Sequence, residues 1–317
     1  MKVFITGGNG MIASHLIDYI YKNHKEYEIF ASKRPRSKAY RPEIVSYRDL
    51  DITDFVAVLN IINEIKPDII FSLAGQGYPK ISESNPQMTI DTNINGTFNL
   101  LESIKLANYI PKKIILASSA AVYGDVNGKY PTDEETQFHP LSLYAVTKVA
   151  TETMGYQYFK NYCLPVINVR PYIQIGRRQG ENSSVNSFAK QIAMIERRGS
   201  KGIIKVGNLT SERDFLSAKN CVKALWILSQ SDENTNGESY NICSGIPRKM
   251  SDILDCLIGM SSADITVEID ENKLRKSDIP LELGDNSKLK SIGWEMEEDF
   301  YSTLKEVLDY WRYEVII

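Results

Sequence analysis

The chain predicts an α/β fold: a Rossmann-like, doubly wound parallel sheet followed by a smaller C-terminal α/β domain that binds substrate. Three observations carry this. Short β-branched or aromatic runs alternate with segments whose apolar residues recur at helical spacing, the first run ends in a glycine-rich turn that opens a helix, and the regular alternation stops near residue 170. Strands that alternate with helices line up in parallel and are covered on both faces. At 317 residues, with 43% hydrophobic and 24% charged content, the chain can bury one large core and an appended smaller one.

The strand-like runs, in order, are VFIT, EIFA, DIIFSLA, KIILASS and PVINVR. They place a dinucleotide-binding domain at 1–169. Beyond it, longer polar stretches such as QIGRRQGENSSVN and a C-terminal amphipathic helix, DFYSTLKEVLDYW, give a second domain at 170–317, with chain returning to the first around 208–230. A net charge of −3 with scattered Lys and Arg leaves no nucleic-acid footprint. No apolar run reaches the roughly 18 residues of a membrane helix. MKVFITGG meets glycine too early for a signal peptide, so a cytoplasmic protein is expected. Cys163, Cys221, Cys243 and Cys256 are far apart and do not cluster with His15, His24 and His139, which predicts buried thiols and no metal site.

The first run ends in TGGNGMIASHL. Gly7 and Gly10 flank a turn, and a helix begins near Met11. Glycines let the backbone approach a pyrophosphate, whose charge is met by the helix N-terminus. Gly7, Asn9, Gly10, Met11 and Ile12 are therefore candidate cofactor residues, with Ala13 at the small position where helix and strand pack closely. An NAD-binding protein usually ends the second strand with an acid that accepts from the ribose 2′-hydroxyl. Here EIFA runs into SKRPRSK. With no acid, and with Ser32, Lys33 and Arg34 placed to donate to a 2′-phosphate, the sequence favours NADP(H).

SSAAVYG follows the fourth run and puts Ser118 and Ser119 at a strand's carboxyl end, where α/β ligands bind, with Ala120 and Ala121 directly behind. YAVTK then sets Tyr144 and Lys148 four residues apart on one helix face. An ammonium so placed favours the phenolate of a tyrosine whose free pKa is about 10. Such a tyrosine exchanges a proton with a carbinol oxygen.

TGGNGMIA, LAGQ (73–76), TNINGTFNLLE (92–102), SSAAVYG, YAVTK and RPY (170–172) resemble, in order and spacing, the extended short-chain dehydrogenase/reductases of the NAD-dependent epimerase/dehydratase family, which act on nucleotide sugars. In the second half SSVNSFAKQIAMIE, IIKVGNLTSERDF, YNICSG and DIPLELGDNSKLKSIGW look like the GDP-4-keto-6-deoxy-mannose reductases, relatives of the GDP-mannose 4,6-dehydratases. The resemblance implies that Tyr144 is the acid/base, that Lys148 orients the nicotinamide ribose, and that Ser119 holds the sugar's C4 oxygen. It implies that Asp51 and Ile52 flank the adenine and that Leu73, Ala74, Gly75 and Asn93 lie along the cofactor. Gln76, Lys190, Arg213 and Arg275 are implied on the substrate side, the arginines on its diphosphate. Ile173 stands where the family commonly has Asn, and IGRRQG replaces a proline-containing stretch. The helices containing TNINGTFNLLESIKLA and YAVTKVATETMGYQYF are those that commonly pair in a homodimer.

The expected reaction is NADPH-dependent reduction of the C4 ketone of a GDP-linked 4-keto-6-deoxy sugar, hexose or heptose, in deoxysugar biosynthesis for surface polysaccharide. Two alternatives stay open: a C4 epimerase with tightly held NAD, and a sugar-nucleotide 4,6-dehydratase. Dehydration needs a base for the C5 proton and an acid for the leaving hydroxyl. Ala120 and Ala121, which stand where the dehydratases carry carboxylates, can be neither.

Overall fold

The structure is a computed structural model that describes residues 1–199, 201–274 and 279–315. Its first half runs β1 (Lys2–Thr6), α1 (Met11–Asn23), β2 (Glu28–Lys33), β3 (Ser46–Asp49), α2 (Phe55–Ile65), β4 (Ile69–Ser72), the short helices α3 (Pro79–Ser84) and α4 (Pro86–Ile90), α5 (Gly96–Leu106), β5 (Lys113–Ala117), α6 (Leu143–Tyr162) and β6 (Val166–Pro171). Alternation with period two explains why the strands read as unbroken apolar runs. Val3 and Ile5 face one layer with Leu16, Ile17 and Ile20 of α1, while Phe4 faces the other with Val58 and Ile62 of α2 and Leu100 and Ile104 of α5. Both faces are dry, as parallel sheets require.

The second half runs β7 (Ile173–Ile175), α7 (Ser184–Arg198), β8 (Lys201–Val206), β9 (Glu212–Ser217), α8 (Ala218–Gln230), β10 (Ser239–Ile242), β11 (Pro247–Lys249), α9 (Met250–Gly259), β12 (Asp264–Ile269), β13 (Leu281–Glu282), α10 (Ser287–Ser291) and α11 (Phe300–Glu314). Two of these elements rejoin the first layer. Val222, Leu225 and Trp226 of α8 share the core of α1, and β10 pairs with β6 in parallel. The large sheet thus has the order β10-β6-β5-β4-β1-β2-β3, with its direction of winding reversing at β1 and β4. The returning chain, expected around 208–230, lies at 218–242.

The rest forms a separate core. β9 is the centre of a small sheet, lying between β11 and β13 and also pairing in parallel with β7. α7, α9 and α11 close over it with Phe188, Ile192, Leu254, Leu257, Leu304 and Val307 buried. β3 was not legible as a strand: Ser46, Tyr47, Arg48 and Asp49 are all at least partly exposed, because β3 is an edge and needs no apolar run.

Candidate active site

The glycine turn is shaped by backbone contacts that leave no room for side chains. Gly7 has φ +69°, and a Cβ there would stand 3.0 Å from the Ala74 Cα. A Cβ on Gly8 would stand 2.7 Å from the Ala31 methyl. Ser32 pins the turn to β2, its hydroxyl accepting from Gly7 N at 3.0 Å and its carbonyl from Gly8 N at 2.7 Å. Thr6 pins it to β4, its hydroxyl oxygen accepting from the amides of Leu73 (3.0 Å) and Ala74 (2.9 Å). α1 starts behind Gly10 with no side-chain cap, so its first amides face an anion site. This cradle, at the reversal point of the sheet, fits the pyrophosphate of a dinucleotide.

The expected cofactor residues divide. Asn9 does not point along the turn but holds the following loop, donating to the Lys38 carbonyl at 2.8 Å and accepting from Tyr40 N at 3.1 Å. Met11 and Ile12 form the first turn of α1. Lys33 is engaged by Asp49 of the neighbouring strand, which leaves Arg34 as the exposed cation of the pair. The Asp51 carboxylate accepts from Thr53 N (3.0 Å) and Oγ1 (2.8 Å), and those bonds hold it below the usual carboxylate range. Ile52 packs on Gly96, where a Cβ would stand 2.7 Å away.

Ser119, Tyr144 and Lys148 come together. Ser119 caps the single 3-10 turn Ala120–Val122, accepting from Ala121 N at 3.2 Å. Tyr144 lies in the first turn of α6, whose N-cap Ser142 accepts from Ala145 N. Burial raises the Tyr144 phenol above its ordinary value, and the hydrogen bond from Ser119 works against that rise. Lys148, one turn on, donates to the Ala117 carbonyl at 2.7 Å and lies 6.0 Å from the Tyr144 ring centroid. Burial lowers the Lys148 ammonium to about 8. The packing does not favour the phenolate that the Tyr144–Lys148 spacing led one to expect: desolvation is the larger influence on both groups and moves the phenol upward. Ser118 is buried beneath, 3.4 Å from the Lys148 carbonyl.

Asn93 aligns these parts. It sits in a π-helical turn, Asp91–Asn95, that precedes α5. Its side chain accepts from Gln76 N at 2.8 Å and donates to Gln76 O (3.1 Å) and Thr147 Oγ1 (3.0 Å), so one amide joins the Gly75 loop to the catalytic helix. The carbonyl freed by the wider turn is taken up by the Thr97 and Thr151 hydroxyls. A Cβ on Gly75 would stand 3.7 Å from Lys148 Nζ, which shows how closely that loop passes the ammonium.

The expected substrate residues are less convergent. The Gln76 amide is taken by Tyr78 in its own loop and by Thr89 of α4. Lys190 pairs with Glu181 and lies over the Trp311 ring at 5.4 Å. Arg213 is buried on β9 and donates to the Glu212 carbonyl at 2.8 Å. Arg275 lies outside the described residues. Among the described residues no His, Cys, Asp and Glu side chains gather as a metal site. The expectation of buried thiols holds for Cys221 and Cys243, while Cys256 is half-buried and Cys163 is exposed at the end of α6.

The family model described as GDP-mannose 4,6 dehydratase matches residues 4–307. The chain belongs to that family. It is 30% identical over 298 residues to the GDP-6-deoxy-D-talose 4-dehydrogenase of Aggregatibacter actinomycetemcomitans, covering 92% of this chain and 91% of that one. It is 27% identical over 317 residues to the GDP-6-deoxy-D-mannose reductase of Pseudomonas aeruginosa, covering 99% and 98%. The solved structure of RMD from Pseudomonas aeruginosa complexed with NADPH superposes with a TM-score of 0.86 at 26% identity, over 99% of both chains.

Three features of the dehydratase-family site were missed from sequence. Burial raises the phenols of Tyr144, Tyr130 and Tyr172, and Glu282 on β13 stands close enough to add its charge to that rise. Asp214, beside Arg213, accepts from the amides of Ser244 (2.7 Å), Gly245 (2.9 Å) and Gly284 (3.3 Å), joining the loops after β10 and β13 to β9. Arg170 is locked to Glu152 of α6 in a buried ion pair and donates to the Tyr123 hydroxyl at 2.8 Å, so RPY braces the helix that carries Tyr144. All three lie in motifs that carry the resemblance, RPY, SERDF and DIPLELGD, but the partners that give them a role are distant in sequence.

Proposed function

We propose that this chain reduces the C4 ketone of a GDP-linked 4-keto-6-deoxy hexose or heptose, with NADPH as reductant. The observation that carries this reading is the buried set of Ser119, Tyr144 and Lys148, backed by Ala120 and Ala121 where elimination would need acid/base groups. The names of the GDP-6-deoxy sugar relatives and the NADPH held by the similar structure support it.

NADPH, when bound, supplies the hydride for C4. The chain does the rest. The Gly7–Gly10 turn and the first amides of α1 receive the pyrophosphate, and Arg34 receives the 2′-phosphate. Lys148 retains donors beyond its bond to Ala117 and orients the nicotinamide ribose. Ser119 holds the C4 oxygen and Tyr144 delivers its proton to it, leaving a secondary alcohol. Such a positioned acid contributes typically about 10² to 10⁴-fold. Arg213 is proposed on the substrate diphosphate, and Lys190 and Gln76 act through the loops they hold.

Glu282 favours a second reading, since a dehydratase needs carboxylates near the sugar. One carboxylate does not provide both a C5 base and a leaving-group acid. Two assays separate the readings: GDP-mannose with oxidised cofactor, and separately GDP-4-keto-6-deoxy-mannose, with its heptose analogue, and NADPH. Consumption of NADPH in the second without a 4-keto product in the first is expected; the reverse pattern overturns the proposal. The same reading includes a homodimer formed by α5 and α6, which leave Phe98, Leu106, Val146, Tyr156 and Tyr162 exposed. A lone 35.9 kDa species in light scattering at micromolar concentration would refute that assembly.

A further inference from the structure

On the outer side of α1, away from the sheet, lies a polar cleft of about 620 Å³. Lys22 and Lys25 reach it from the end of α1, Arg41 from the loop after β2, and Arg177 and Arg178 from the loop after β7. Asp18 stands among them, accepting from Arg41 at 3.1 Å and Arg178 at 3.0 Å, with Arg177 at 3.9 Å. Glu43 takes Arg41 Nε at 3.1 Å. Five cations against two carboxylates leave a local excess of three positive charges, in a chain whose net charge is −3.

A carboxylate in need of a counter-ion is satisfied by one arginine. Here three converge, joined by two lysines that are exposed and make no hydrogen bond or ion pair among the described residues. Asp18 orients the guanidiniums without exhausting them: Arg41 uses Nε and Nη1, and Arg178 uses Nε and Nη2, so each keeps a nitrogen for a ligand. Both arginines adopt left-handed backbone, φ +49° and +67°, a conformation non-glycine residues hold only when their surroundings fix it. Their planes lie over aromatic rings, Arg41 at 4.8 Å from Tyr21 and Arg178 at 4.6 Å from Tyr40. Tyr40 is anchored by its amide to Asn9, and Arg178 by Nε to the Ser14 hydroxyl at 2.9 Å. The donors are thus set in advance, which lowers the entropic loss of binding.

We propose that this cleft is a second anion site, distinct from the cofactor turn and from the Ser119–Tyr144 cleft, that takes a ligand bearing two linked phosphates. Forked guanidiniums suit phosphate oxygens, and two flanking ammonium groups suit a further charge. The source is either inorganic pyrophosphate or a nucleoside diphosphate. The site does not depend on which sugar the enzyme reduces, but its test rests on NADP binding.

Inorganic pyrophosphate is titrated calorimetrically into protein already holding one equivalent of NADP⁺, so that the cofactor turn is closed to it. GDP, a nucleoside diphosphate that would itself fill the cleft, is left out, and any binding on the substrate side is the part that the lysine variant leaves unchanged. Saturation is checked first by NADPH fluorescence, and failure there would count against the cofactor reading alone. Saturable binding is expected for the wild type, weakened by about tenfold or more in the Lys22→Glu/Lys25→Glu double variant, since two cations beside a diphosphate become carboxylates. NADPH affinity in that variant stays unchanged. No binding to wild type, or equal binding to both proteins, overturns the site. So does a variant whose only change is its sedimentation coefficient, which would make the cleft a contact between copies. In the same titration with ADP, tighter binding than pyrophosphate assigns the nucleoside diphosphate, and weaker binding assigns the inorganic ion.

Discussion

In the sheet half, Gly7 follows β1, Ser32 lies one residue before the end of β2, Leu73 and Ala74 follow β4, and Ser119 lies just past β5; each of these is within a few positions of the strand that places it, and Tyr144 and Lys148 meet them from the first turns of α6. In the half beyond Pro171 the arrangement differs. Asp214 of β9 holds Ser244 and Gly284, thirty and seventy residues away, and Thr132 bridges to Gly284 across the two halves. A site assembled at strand ends is set by local geometry and tolerates changes elsewhere. One assembled from distant loops depends on every buried bond that joins them. Substitutions should therefore remove chemistry in the first half and deform binding in the second.

The largest effect expected is on turnover in the first half. Tyr144→Phe keeps the ring in its buried niche and removes only the transferable proton, so kcat should fall by about 10² to 10⁴-fold while cofactor affinity holds. Retention of more than a tenth of wild-type kcat would move the proton donor elsewhere. Asp214→Ala tests the second half. It leaves three amides without their acceptor in a wholly buried place, and should lower stability by about 3 kcal/mol. KM for the nucleotide sugar should rise more than KM for NADPH. Equal changes in both would mean that the two halves are not separate in the way the hydrogen bonds suggest.

The same contrast explains what was legible. The strand runs, the glycine turn and the YAVTK helix could be read because period-two and helical spacing, glycine and N-cap chemistry act over a few residues. The partners of Asn93 could not, since its tie to Thr147 joins residues 54 apart. Nor could the role of Glu282, which belongs to a two-residue strand placed by β9. Lys148 was legible as a residue but not as an environment. Burial governs it, and burial is a property of the packed molecule.

That burial gives a pH prediction of intermediate size. With its proton lost near pH 8, Lys148 should impose an alkaline limb on kcat/KM, a fall of about tenfold by one unit above that value. The stability linkage of this group has the opposite sign: Lys148 has a lower pKa folded than unfolded, so between about 8 and its ordinary value the unfolded chain binds the extra proton, and this group makes the fold more stable as pH rises. Lys148→Arg, which stays charged, should move the limb upward. A profile flat to pH 9.5 would show that the ammonium is dispensable.

The smallest effect sharpens the comparison inside the first half, at two adjacent cations that look equivalent in SKRPRSK. Lys33 is tied to Asp49 across β2 and β3, and its ammonium is largely covered, whereas Arg34 stands exposed, makes no side-chain hydrogen bond or close ion pair among the described residues, and feels only the charge of Asp51. A 2′-phosphate would have to displace Asp49 from the first, and would meet only the more distant charge of Asp51 at the second. Arg34→Ala should therefore raise KM for NADPH by about fivefold, the loss of one charge-assisted contact at an exposed site, and leave NADH use unchanged. Lys33→Ala should change the ratio of NADPH to NADH use by less than about twofold. Steady-state kinetics with both cofactors on the two variants decides between them. If Lys33→Ala proves the more damaging, the Asp49 pair opens to admit the phosphate, and the strand-end geometry is less rigid than the sheet half otherwise implies. If wild-type protein prefers NADH, neither cation serves the cofactor.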